Sequence, residues 1–290
     1  MAETKSYKRA SKKLNDMTYT DYLNRLTLLA RSLFKWNNLP KGITEKIIEK
    51  YLFYHGSCVF YNHPEIGLVV ARCTENGLNH NDEPVTITPV FSNYIFKTPI
   101  KPLENNKECV LIRNNDKSFP TYYTINLFAL RLTDIQRTID VNISAQKTPV
   151  IVTCSDKQKF SLKQVVNQKD DNELTIYGDP NLDVNAITAL KVDAPVVFDK
   201  LQIQKHSLWN ECMTFLGVNN ANMDKRERLV DDEVQANNEQ IELSAEVMLK
   251  ARELACEQIN KIFGTNISVE IRKPTTAKIE GIEGVLNDDR

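Results

Sequence analysis

The stretch HGSCVFYNH brings His55, Cys58 and His63 together, with Cys73 and His80 further along the chain. Imidazoles and thiolates are the usual ligands of structural zinc. These spacings match no familiar finger, however, and Cys58 alternates within a run that reads as a β-strand. Nucleophilic catalysis by cysteine or serine needs a histidine base held in reach by a third group. The four histidines and six cysteines offer pairs but no local signature of that kind. Asp231, Asp232 and Glu233 form an acidic cluster that suits a divalent ion, although an exposed charged segment is the more ordinary reading. Only nine glycines are present, and neither G-x-x-x-x-G-K nor G-x-G-x-x-G occurs, which argues against phosphate cradling by a glycine loop. The sequence therefore predicts no catalytic residue, no metal and no cofactor: a chain that is not an enzyme.

The elements that would position any site are α+β in texture. TYTDYLNRLTLLARSLFKWNNLP carries Tyr22, Leu26, Leu29 and Leu33 at helical spacing, with Thr18 and Asp21 placed as a capping box and Pro40 as the stop. A second helix is expected from Thr44 to about Tyr54, closed by Gly56. Between Ser57 and Asn115 the runs SCVFYN, IGLVVARC, VTITPVF, YIFKT and ECVLIRN, separated by turn residues, predict a small antiparallel sheet or barrel of about five strands. The strongest helix signal covers Thr121 to Ser144, roughly 36 Å at the usual helical rise. TPVIVTCSD, LTIYG and ITALKVD read as strands and SLKQVVNQ as a short helix. A further helix runs from near Asp199 to Gly217 and another from Glu239 to Phe263, capped by Gly264, before the closing strand ISVEIR. Two long helices bracketing an α/β excursion suggest an antiparallel pair with a module at its tip.

Between these helices, residues 219–238 hold five asparagines and no aromatic residue. Their three cations and five anions give a net charge of −2 (3 − 5). A polar segment of that length inside a domain is disordered or functional.

The whole chain has 290 residues, 41% hydrophobic and 26% charged, with 37 Lys+Arg against 38 Asp+Glu. This is ordinary globular composition, without the overall basic character of a nucleic-acid binder. No apolar run approaches the ~20 residues of a membrane span. The polar amino terminus predicts no export signal, and the scattered cysteines fit reduced thiols. Locally, residues 1–13 set Lys5, Lys8, Arg9, Lys12 and Lys13 against Glu3 alone. Such an arm reads first as a solvated, disordered terminus and, more sharply, as an anion or nucleic-acid contact.

LFKWNNLP (33–40), NNDKSFPT (114–121), SAQKTPVIV (144–152), SLKQVVNQ (161–168) and KVDAPVVFDKL (191–201) resemble, in order, stretches of one family. WNECMTFLGVNNANMDKRERLVDDEV (209–234) and EQIELSAEVMLKARELACE (239–257) continue the match. The resemblance is to the portal, or upper-collar head–tail connector, of small podoviruses with protein-primed genomes. It implies a portal-type ring subunit with long stem helices, an SH3-like β wing module and a small α/β clip. The implied order is a basic arm (1–17), wing (18–118), stem helix (119–146), clip (147–199), stem helix (200–217), channel loop (218–238), wing or crown helix and strand (239–273) and tail (274–290).

The resemblance further implies a homo-oligomer, a dodecamer, at one capsid vertex of the virion. It would pass double-stranded DNA during packaging and ejection, and assemble in the host cytoplasm. Its implied partners are the major capsid and scaffold proteins, lower-collar and tail proteins, a packaging ATPase and a packaging RNA, with no membrane. Lysine rings of the family's channel fall by position on Lys191, Lys200, Lys225 and Arg226, the last keeping charge but not identity. Read without the resemblance, Lys191 and Lys200 simply bound a strand and a helix. A hydrated loop of net negative charge suits DNA passage, because each neutralised phosphate adds salt-sensitive affinity that opposes translocation. The other readings are a head–tail adaptor or neck protein that binds a preformed ring, and a metal-dependent nucleic-acid enzyme using the His/Cys or Asp/Glu clusters.

Overall fold

The computed structural model describes residues 2–91, 97, 99–146, 150–152, 187–189, 195–219 and 231–272. The chain divides into two compact units, residues 1–133 with 207–290, and residues 134–206.

Helix α1 spans Ala2–Arg31, so the arm expected to be disordered is helical. Its residues are mostly good or neutral helix formers, with no glycine or proline to interrupt them. Thr18 and Asp21 are not a capping box. Thr18 Oγ1 donates to Leu14 O at 2.8 Å and Asp21 pairs with Arg25 at 2.7 Å, as in a helix interior. Nor does the helix continue towards Pro40. It ends at Arg31, and Phe34–Asn37 form strand β1, whose Phe34 and Trp36 are buried on one face. Alternation of period two over FKWN overrides the helical spacing that Leu33 continues in the sequence. Helix α2 (Glu45–His55) ends as expected at Gly56, at φ 79°, whose N–H donates to Leu52 O.

A five-stranded antiparallel sheet follows. It comprises β2 (Ser57–His63), β3 (Gly67–Leu78), β4 (Pro84–Val90), β5 (Leu103–Glu104) and β6 (Cys109–Arg113), in the order β5-β4-β3-β2-β6. Strand β2, paired on both sides, aligns Val59 with Ala71 of β3 and with Leu111 of β6. Both its faces are buried. Val59 and Tyr61 join Ala71, Ile87, Cys109 and Leu111 inside the module, while Cys58 and Phe60 join the core beneath it. The expected strand YIFKT lies, except for Lys97, outside the described residues, and the short β5 was not foreseen.

The remaining elements are α3 (Thr121–Gln146), β7 (Val150–Val152), β8 (Ile187–Ala189), α4 (Phe198–Phe215), α5 (Asp231–Phe263) and β9 (Ser268–Ile271). In the first unit β9 pairs antiparallel with β1, and Phe34, Trp36, Leu52, Met248, Cys256 and Ile259 share one core. A second core gathers Leu26 of α1, Phe128 and Leu132 of α3, and Cys212 and Leu216 at the end of α4. Gly217 then turns the chain at φ 71°, where an added Cβ would lie 2.4 Å from Ala245 Cβ.

Helix α5 starts at Asp231, not at Glu239, so the carboxy-terminal part of the expected channel loop is helical. Asp231, Asp232 and Glu233 occupy its first turn, where acidic residues favour the helix dipole. Residues 220–230 of that loop lie outside the described residues.

In the second unit β7 and β8 pair antiparallel, Val150 opposite Ala189. The helical segments run antiparallel, joined by Lys205 Nζ to Gln136 Oε1 at 3.0 Å and by Asn142, which donates to Pro195 O and accepts from Val197 N. The unit begins within α3 and ends within α4. The helix expected at 161–168 and the strand at 174–178 lie outside the described residues, as do residue 273 and the tail (274–290).

Candidate nucleic-acid interface

Cations come first, because phosphate recognition starts from them. In α1 the positions of Lys5, Lys8, Arg9, Lys12 and Lys13 follow the i, i+3, i+4, i+7, i+8 pattern, which places them on one helical face. Lys12 and Lys13 are exposed. Over residues 2–31 seven cations oppose three anions, a net +4 (7 − 3), a local positive excess within a nearly neutral chain.

Lys200 sits in the first turn of α4, exposed and next to Asp199. One and a half turns on, Lys205 is tied to Gln136 and His206 meets Gln202 at 2.9 Å. Lys205 escaped the sequence analysis; its distance from Lys200 in sequence was the available signal, since i+5 lies off the same helical face. Lys191, Lys225 and Arg226 lie outside the described residues. The arm and Lys200 belong to different units.

The sites considered for catalysis and metal binding have other surroundings. Cys58 is fully buried and its thiol is pushed well above the usual range, chiefly by that burial and then by Cys73 and Glu49. Burial likewise pushes Cys73, Cys109, Cys212 and Cys256 up to about 12, which keeps each a neutral thiol at physiological pH. His63 is buried, and its Nδ1 accepts from the Glu65 N–H. His55 is held below the usual histidine range by partial burial and then by Arg72 and Lys50. His80 is exposed in the turn between β3 and β4. Among the described residues no three His, Cys, Asp or Glu side chains gather where a metal would sit. No described helix is long and apolar enough to cross a membrane.

The strongest polar cluster is one that sequence reasoning missed. Arg252 of α5 and Glu49 of α2, exposed by 2% and 3%, form a bidentate pair at 2.9 and 2.8 Å. Glu49 Oε1 also accepts from Trp36 Nε1 at 2.9 Å. Arg252 donates further to Met248 O and to both Asn114 O and Oδ1, and its guanidinium lies 4.1 Å from the centre of the Phe34 ring. Every donor of the buried guanidinium thus has a partner, the condition under which a buried ion pair is tolerable. The cluster joins α2, β1, the end of β6 and α5. It is a frame for the first unit, away from solvent and unable to meet a phosphate. Arg252 stands on the apolar face of α5, between Met248 and Ala255, and that misplaced charge was the signal for it.

Comparison with known proteins adds to this geometry. The family model described as Phage Connector (GP10) matches residues 4–276. A solved structure described as the portal and tail of native bacteriophage P68 superposes with a TM-score of 0.55 at 16% identity, covering 95% of this chain and 93% of that chain. A second, an HK97 family phage portal protein from Corynebacterium diphtheriae, has a TM-score of 0.40 at 8% identity, covering 88% of this chain and 91% of that one. The P68 likeness shows a portal-type fold; the second adds nothing to that assignment.

Proposed function

Because this chain belongs to the Phage Connector family, we propose that its copies form a ring at one capsid vertex and that double-stranded DNA enters and leaves through the hole. The match of the family over residues 4–276 is the observation that carries this reading of a viral portal protein. The ring holds twelve copies in this proposal. Each contributes Lys200, with Lys191, Lys225 and Arg226, to cationic belts that touch phosphates without base contacts, and the basic face of α1 meets a polyanion or the motor outside the channel. The chain itself is non-enzymatic: ATP hydrolysis during packaging falls to a separate ATPase, and tail, capsid and scaffold proteins attach to the outer surfaces.

Weak, distributed phosphate contact is what a conduit requires. Counterion release makes each lysine contact favourable and salt-dependent, so a few belts steady the duplex while an unbroken basic wall would hold it. The segment that carries Lys225 and Arg226, residues 219–238, keeps a net charge of −2 even with them counted.

Native mass spectrometry with electron micrographs of the same sample tests the ring. Twelve chains of 33.2 kDa should give a particle of about 398 kDa (12 × 33.2) with a central hole. A chain that remains monomeric or dimeric at all salt concentrations points instead to an adaptor. In assembled particles, Lys200→Ala with Lys225→Ala should leave the ring intact and change DNA retention or exit. Unchanged retention and ejection remove the belts from the mechanism.

A further inference from the structure

The first unit carries two apolar ridges that nothing in the described chain covers. Phe119, just before α3, and Tyr123 in its first turn are 54% and 60% exposed, their rings tilted with centroids 6.0 Å apart, and exposed Leu127 and Leu130 follow Tyr123 on the same face of α3. On α5, Leu243 and Val247 are 63% and 55% exposed, and Leu254 continues their line beyond exposed Lys250. Each ridge extends over about three helical turns. Large contiguous exposed apolar surfaces of this kind mark contact sites.

The ridges differ in charge. From Phe119 to Leu130 there is no charged residue, and exposed Arg131 is followed one turn on by exposed Asp134. Along α5, Glu239, Glu242, Glu246, Glu253 and Glu257 are exposed with Lys250 the one exposed cation among them. Pairing α5 with α5 of a second copy would bring like charges together, and pairing α3 with α3 would leave the acidic ridge bare. Pairing α3 with α5 covers both. Leu254, with Leu111, Ala251 and Ala255, forms the apolar part of a cleft of 320 Å³ whose remaining lining is polar, Glu83 and Arg113 included, and Phe119 and Tyr123 are exposed aromatic rings with which to enter it. Asn105, on the wall of that cleft, has a buried amide oxygen without a hydrogen-bond donor, which a phenol can supply.

We infer that the α3 ridge of one copy packs antiparallel on the α5 ridge of the next, with Phe119 and Tyr123 seated at the Leu254 cleft, Leu127 opposite Val247, and Arg131 against Glu239 and Glu242. Such a contact is head-to-tail: it uses two different faces of each chain and so propagates until a ring closes. The inference rests on the ring proposed above and names the surfaces that build it.

Leu127→Asp and Val247→Asp, each at an exposed position, separate the two faces. Each variant alone should lose the ring and remain a folded monomer with the circular dichroism spectrum of the parent. Mixed, they should stop at a one-to-one dimer of twice the 33.2 kDa chain mass, because only one intact α3 face and one intact α5 face remain. As a check independent of assembly-deficient variants, the chain carrying both Leu127→Cys and Val247→Cys should form an oxidised ladder of multimers, and either substitution alone should not. Rings that persist in either Asp variant, or a doubly substituted chain that gives no ladder while its rings form, overturn the contact and leave the portal reading standing. A parent chain that never forms rings removes the portal reading together with the contact.

Discussion

At the scale of single residues, the Arg252–Glu49 pair carries the largest stake. Removing one member leaves a buried charge without its partner, a loss of about 3–5 kcal/mol. Arg252→Ala should therefore lower the unfolding midpoint in denaturant sharply, and Glu49→Leu with Arg252→Met should recover much of the loss, since apolar replacement of a whole buried pair is often neutral. A double variant no more stable than Arg252→Ala would show that the hydrogen bonds to Asn114 and Trp36, not the ion pair, matter most.

His55 gives a pH-dependent counterpart. Burial, Arg72 and Lys50 lower its folded pKa, so below the model-peptide value of 6.5 the unfolded chain binds more protons. The stability is complete above that value and is lost as pH falls through the folded pKa. Thermal unfolding followed from pH 7 to pH 5, pH values chosen for the assay on the order of that titration, should show a falling midpoint that is shallower in His55→Gln. Neither feature was legible in a linear reading. Arg252 could have been suspected from its place on an apolar face, but its partner is 203 positions away.

At the scale of elements, Gly56 is required for two reasons. Its φ of 79° is left-handed, and an added Cβ would lie 1.8 Å from Ser118 O. Gly56→Ala should cost more than the ~1 kcal/mol usual for a misplaced backbone substitution, read as a drop in thermal midpoint. The helix and its glycine stop were visible in the sequence. The approach of Ser118 was not, because it depends on the turn in which Asn115 Oδ1 accepts from Lys117 N and Phe119 N.

The first helix shows the opposite failure. Its charged beginning was read as disorder because no apolar periodicity starts before Tyr22, yet helix propensity and continuity with the packed half suffice to extend it. Among the described residues the core begins at Leu26. Deleting residues 2–11 should therefore reduce the helical circular dichroism signal while shifting the unfolding midpoint little. A large drop in the midpoint would mean that the arm packs against something.

At the scale of the whole molecule, the portal-type fold links an element pattern to an assembly. Long helices α3 and α4 pass from one compact unit into the other, and the first unit leaves two apolar ridges for another chain. Salt tests the division of labour: if apolar ridges hold the ring and lysines only touch DNA, raising ionic strength should weaken DNA retention steeply and leave the ring largely assembled. Dissociation of both in parallel would place ionic pairs at the centre of the subunit contact.

The amino-acid sequence by itself determined the number and kind of most elements, because periodicities of 3.6 and 2 and glycine stops are local properties. Ordered matching strings also revealed the family. Only the tertiary structure decided which face of β2 joins which core, that Phe34–Asn37 is a strand paired with Ser268–Ile271, and that Arg252 meets Glu49. It also decided which leucines of α3 and α5 stay uncovered. Each of these depends on residues far apart in the chain, and burial is a property of what arrives from elsewhere, which no local pattern contains.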